Sequence, residues 1–201
     1  MKKIRSVCVY CGSAMGASER YAQAARALGQ ELVRRDIGLV YGGGNVGLMG
    51  AIADAVMQGG GRATGVIPQA LMKREVGHHG LTELHVVKDM HERKAMMAEL
   101  SDGFIAMPGG FGTLEELFEV TTWAQLGLHE KPIGLFNVDG FYDGLTGFAS
   151  HLVAQGFVRP DHARLLMHAP EAPALLDLLE NFVPSHTVKW LEREQAQKIV
   201  P

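Results

Sequence analysis

A chain of 201 residues, 47% of them hydrophobic, can bury one sizeable core, and a formal charge of -3 excludes a general electrostatic footprint for nucleic acid or an anionic membrane. Any phosphate it holds must be held locally. No apolar run approaches the roughly 20 residues of a membrane span, and the opening MKKIRSVCVYCGSA is too soon interrupted for a secretory signal, so the expectation is a cytoplasmic protein with one domain over residues 1–182 and a charged surface tail over 183–201.

Ile4 to Tyr10 is a β-branched run closed by Cys11-Gly12-Ser13, a strand and its turn. Ser18 suits an N-cap, and Tyr21, Ala25, Leu28 and Leu32 then fall on one helical stripe. Cys8 and Cys11 stand at C-x-x-C spacing, which raises thioredoxin-type redox chemistry or half a zinc site. Cys8 lies inside the strand, opposite Val7 and Val9, and no second C-x-x-C exists, so both are read as buried small hydrophobes.

Ile37 to Tyr41 forms a second strand, followed by GGGNVGLMG at 42–50 and a helix with Leu48, Ile52 and Val56 on one face, ended by glycines at 59–61. Gly42, Gly44 and Gly47 satisfy G-x-G-x-x-G, yet the dinucleotide fingerprint also needs an acid at the end of the next strand. That strand, Thr64 to Ile67, ends in Pro68-Gln69, so NAD is set aside and no cofactor is expected. Residues 69–83 lack a clear period and read as a loop with solvated His78 and His79. Metal ligation by these with His85 or His91 lacks an i, i+4 histidine pair spanning a glutamate, so no metal site is expected.

After a strand from Leu84 to Val87, Asp89 begins a helix, DMHERKAMMAEL, in which Met90, Met97 and Leu100 read as core. Arg93 and Lys94 are solvated by default, but in the first two turns after a strand end they also stand where two cations would face the phosphate end of a crevice.

Residues 103–119, GFIAMPGGFGTLEELFE, read as strand, glycine turn and helix. Gly109, Gly110 and Gly112 let a ligand lie against main-chain N–H groups at the positive end of the helix dipole, a phosphate cradle. Thr113 and Glu116 have capping-box spacing, while a carboxylate one turn past a phosphate cradle would also sit beside a nucleotide's sugar. Spacing alone does not choose. A strand from Ile133 to Asn137, a helix carrying Phe141, Leu145, Phe148 and Leu152, a strand near Leu165 to His168 and a helix from Pro173 to Phe182 complete the chain. This alternation predicts a Rossmann-like, doubly wound parallel sheet of about seven strands in a three-layer αβα sandwich.

Set side by side, GGGNVGLMG at 42–50, MHERK at 90–94 and PGGFGTLEE at 108–116 resemble the Lonely Guy (LOG) family, and the resemblance runs from about Ser6 to Phe157. The third stretch is that family's P-G-G-x-G-T-x-x-E signature in full. The resemblance implies hydrolysis of the bond between N9 of an adenine-type base and C1' of ribose 5-monophosphate, in AMP or its N6-prenylated form, by a homodimer with its site near the subunit boundary. It carries the catalytic pair to Arg93 and Glu116. With the glycine cradle, the candidate binding set is Lys94, Gly109, Gly110, Phe111, Gly112, Thr113 and Thr122, joined by Gly43 and Gly44 and by an acid of the 72–83 stretch, Glu75 or Glu83. Two other readings stand beside it: a nucleotide-binding sensor or carrier without catalysis, and a lysine decarboxylase, a label such proteins sometimes carry and for which no lysine is singled out here.

Overall fold

The computed structural model describes residues 3–72 and 77–184. Seven strands, β1 (Ser6–Tyr10), β2 (Gly38–Tyr41), β3 (Ala63–Pro68), β4 (Glu83–Val87), β5 (Gly103–Ala106), β6 (Ile133–Phe136) and β7 (Leu166–Ala169), form one parallel sheet in the order β4-β3-β2-β1-β5-β6-β7. Parallel strands need crossovers, and helices supply them on both faces. The central strands are accordingly apolar in both directions. Val7, Val9, Leu39, Tyr41, Ile105 and Met107 face α1 (Glu19–Arg34), α2 (Gly47–Gln58) and α8 (Ala172–Glu180). Cys8, Tyr10, Val40, Phe104 and Ala106 face α4 (Met90–Glu99) and α5 (Phe111–Gln125). The predicted doubly wound, three-layer sandwich is the fold observed, and no helix among the described residues is long and apolar enough to cross a membrane.

Local signals set the helix starts. Ser18 caps α1 by accepting the Arg20 N–H at 3.3 Å. Asp89 caps α4 by accepting the His91 and Glu92 N–H groups, each at 3.0 Å, while Glu92 reaches back to the Lys88 N–H at 2.8 Å. Those main-chain bonds, the Glu92 N–H first, hold the Asp89 carboxyl below the usual carboxylate range.

Three expectations change. The stretch from residue 69, read as a loop, opens with a helical turn, α3 (Gln69–Met72), and His78 is buried rather than solvated. Of the apolar stripe on α4, only Met97 is core; Met90 and Leu100, at the two ends of the helix, are each 39% exposed. Between β6 and β7 lie α6 (Asp143–Ala154) and the short α7 (Pro160–Ala163). The stripe on α6 is only partly covered: Leu145 packs against the core, but the helix contains no buried residue and Phe148 is 54% exposed.

Candidate active site

The chain leaves β1 towards β2, β3 and β4 on one side and returns to β5, β6 and β7 on the other, so the crevice lies where the carboxyl ends of β1 and β5 diverge. A cleft of about 360 Å³ opens there. Its walls come from six segments: the end of β1 and the turn after it with Cys11 and Ser13, Gly42 after β2, α2 with Met49, α3 with Leu71, α4 with Arg93, and the start of α5 with Glu116.

The start of α5 differs from the capping-box expectation. Gly110 is the N-cap residue, without a side-chain cap, and the first intrahelical bond runs from the Leu114 N–H to the Gly110 carbonyl at 3.1 Å. Thr113 is therefore already the third helical residue and is buried, and it cannot cap the helix for Glu116 to answer. The N–H groups of Phe111, Gly112 and Thr113 precede that first bond, as helix geometry requires, and point out of the helix start. A Cβ on Gly110 or Gly112 would meet nothing within 4 Å, so both face open space, whereas one on Gly109 would overlap Thr113 Oγ1 and stand 2.9 Å from the Gly12 nitrogen. Gly12 in turn donates its N–H to the Pro108 carbonyl at 3.1 Å, joining the two turns that flank the switch point. Phe111, 93% exposed, stands at the rim.

Arg93 is buried in the wall opposite, and its Nη2 donates to the Gly42 carbonyl at 3.1 Å. Glu116, half-buried in the second turn of α5, lines the same cleft. Burial pushes the Cys11 thiol far up, and of the charges acting on it Glu116 raises and Arg93 lowers its pKa, so both ionic groups surround one floor residue. Cys8 and Cys11 are free and buried with strongly raised thiols, which suits the reading as small hydrophobes and not redox thiolates.

Lys94 does not line the cleft. Its ammonium donates to Glu115 at 2.6 Å and Glu119 at 3.1 Å, one turn apart on α5. Burial pulls the Lys94 pKa down and these carboxylates outweigh it, so the net shift is upward. It fastens α4 to α5 and touches the cleft edge only through Glu115. Thr122 is exposed on another side of α5, its hydroxyl given to the Phe118 carbonyl at 2.7 Å, and it too lies off the cleft.

Gly43 and Gly44 are buried behind the cleft wall and hold its shape: Gly43 has φ +73°, and Gly44 bridges to Gly77. Glu75 lies outside the described residues. Glu83 opens β4 at the amino-terminal edge of the sheet, away from the cleft, with His85 3.3 Å from its carboxylate. Among the described residues no three His, Cys, Asp or Glu side chains gather as a metal-ligating group.

Sequence reasoning missed Cys11, Ser13, Gly42, Leu71 and Met90 as lining residues. The glycine turn after the first strand was the available signal, but only strand order places it beside the turn at 108–113. Met49, Met90 and Met97 give the cleft an apolar side suited to a flat base.

The family model described as "Possible lysine decarboxylase" matches residues 49–179. A pyridoxal phosphate Schiff base needs a lysine in the cleft that can lose its proton. Among the described residues none that lines it is a lysine, and the carboxylates around Lys94 hold its charge, so these residues do not fit that cofactor. A probable cytokinin riboside 5'-monophosphate phosphoribohydrolase of Oryza sativa subsp. japonica is 54% identical over 182 residues, covering 90% of this chain and 80% of that one. The cytokinin riboside 5'-monophosphate phosphoribohydrolase LOG of the same plant is 54% identical over 186 residues, 92% and 77%. One from Arabidopsis thaliana is 52% identical over 184 residues, 92% and 86%. The molybdenum cofactor binding protein of Rippkaea orientalis shares the fold with a TM-score of 0.66 at 22% identity, over 89% of this chain and 96% of that one. The molybdenum cofactor carrier protein of Chlamydomonas reinhardtii does so with a TM-score of 0.66 at 19% identity, over 88% and 96%. These last two are likenesses of fold alone. With relatives more than half identical along nine-tenths of its length, the chain belongs to the LOG family of cytokinin riboside 5'-monophosphate phosphoribohydrolases.

Proposed function

We propose that this chain hydrolyses the N-glycosidic bond of adenosine 5'-monophosphate or its N6-substituted forms, releasing the free base and ribose 5-phosphate. The observation that carries the reading is one cleft at the switch point holding a carboxylate, a guanidinium and a bare helix N-terminus together. The N–H groups of Phe111, Gly112 and Thr113 hold the phosphate, with the helix dipole behind them. That binding is remote from the breaking bond and holds C1' against Glu116. Cleavage develops positive charge on the ribose ring, which the Glu116 anion stabilises while taking a proton from the attacking water; the C1'–N9 electron pair leaves on N9, which is protonated from solvent, and Glu116 returns its proton to solvent. Arg93 orients the carboxylate or a ribose oxygen with its planar donor fork and is no proton donor.

The test is a panel of 5'-monophosphates and their nucleosides, incubated without added metal or cofactor, with released bases identified by chromatography. Adenine or an N6-substituted adenine is expected from the monophosphate and not from the nucleoside. Tight AMP binding in calorimetry with no base released over hours would move the assignment to a nucleotide carrier.

The working form in this reading is a cytoplasmic homodimer. The support is the exposed apolar pair at α6, Phe148, 54% exposed on a helix without a buried residue, and Phe157, 83% exposed, just beyond its end. Sedimentation equilibrium is expected to give twice the 21.8 kDa chain mass, and replacing Phe148 by Asp to give the single chain.

A further inference from the structure

His78 is 8% exposed and belongs to no catalytic group, yet its three nitrogens are all engaged. Its Nε2 lies 3.0 Å from Asp54 Oδ1 on α2, and its Nδ1 accepts the Gly80 N–H at 3.1 Å. With Nδ1 an acceptor, the neutral ring carries its proton on Nε2 and donates it to Asp54. Its main-chain N–H donates to the Gly43 carbonyl at 3.0 Å, next to the Gly44–Gly77 bridge. The Gly42 carbonyl, one residue before, is the acceptor for Arg93 Nη2. Gly77 also donates to the Met72 carbonyl at 3.3 Å, tying in the turn whose Leu71 lines the cleft. Gly43 itself packs closely on β3 and β4, since a Cβ there would stand 3.2 Å from Ile67, Leu84 and the Val66 nitrogen.

We infer that His78 is a positioning residue: braced on Asp54, it fixes the glycine turn at 42–44 and thereby the Arg93 guanidinium opposite Glu116. The inference rests on the reading given under Proposed function for its kinetic consequence, but not for its geometry. Asp54 is more than half exposed and lies off the cleft, so it acts on the reaction only through His78.

The test follows two signals in His78→Ala, Asp54→Ala, the double variant and His78→Gln, whose amide can still donate to Asp54. One is the Arg93 guanidinium N–H resonance in ¹H–¹⁵N spectra, assigned by its loss in Arg93→Lys. The other is kcat and KM for AMP. Both alanine variants are expected to shift the Arg93 resonance and lower kcat roughly tenfold, with KM changed less than about threefold because α5 still holds the phosphate. The double variant should be no worse than either single one, and His78→Gln should recover most of both signals. An unmoved Arg93 resonance in folded His78→Ala overturns the inference, as does full kcat in Asp54→Ala alongside a fall in His78→Ala. If the unmodified protein releases no base but the Arg93 resonance moves as described, the brace stands and the hydrolase reading falls.

Discussion

Glu116→Gln should lower base release from AMP by on the order of 10³-fold, the scale of removing the main electrostatic stabiliser of a developing charge. The substitution keeps the shape of the side chain and removes its charge and basicity. It leaves α5 intact, because the helix begins two residues before Thr113 and takes its N-cap from the Gly110 main chain, not from a Thr113–Glu116 box. The melting temperature should therefore move by only a few degrees, the scale of about 1 kcal/mol for a shape-conserving substitution that removes no cap. Nucleotide binding should survive, because the phosphate is held by the first turn of α5 and not by its second. Steady-state kinetics, calorimetry with AMP and thermal unfolding on one preparation separate these effects. A glutamine variant with normal turnover would mean the carboxylate has no part in the chemistry. A variant that unfolds would mean that Glu116 is structural after all.

How much of this was legible in the sequence depends on whether the relevant partner is near in the chain. Pro108 and three glycines within five residues announced the turn before α5, and Ser18 and Asp89 announced their helices, because each acts on its own backbone neighbours. The exact start of α5 was not legible, since Gly110, Phe111 and Gly112 are poor helix formers and Thr113 is a good cap. Lys94 was read as a substrate contact. Its partners at Glu115 and Glu119 are a face of another helix, visible only once α4 and α5 are laid side by side. His78 was read as solvated for the same reason, its partner Asp54 lying 24 residues earlier. The glycines at 42, 44 and 47 imitate a dinucleotide fingerprint, but the turn has packing reasons of its own for its glycines. Gly42 clears Arg93, Gly43 adopts a left-handed conformation, and Gly47, with φ +58°, lies against the main chain of Ser13.

Gly42 supplies the second large effect. A methyl group on its α-carbon would overlap Arg93 Nη2 and stand 3.3 Å from Met49 Sδ, while Gly42 is not among the glycines with positive φ. Gly42→Ala should thus leave the backbone of the turn unstrained and push the guanidinium out of its place. Arg93→Ala removes the same group outright and also strips the buried Gly42 carbonyl of its donor, a loss of about 1–3 kcal/mol. Both variants are expected to lose roughly 10²-fold in kcat, as a misplaced orienting group does. Arg93→Lys should not restore it, because an ammonium offers a point charge where a planar fork spans two acceptors. The two substitutions act on one group, so the double variant should be no slower than Arg93→Ala alone. Full kcat in Gly42→Ala would show that the guanidinium works from more than one position, and additive losses in the double variant would show that Gly42 serves the cleft by a route that does not pass through Arg93.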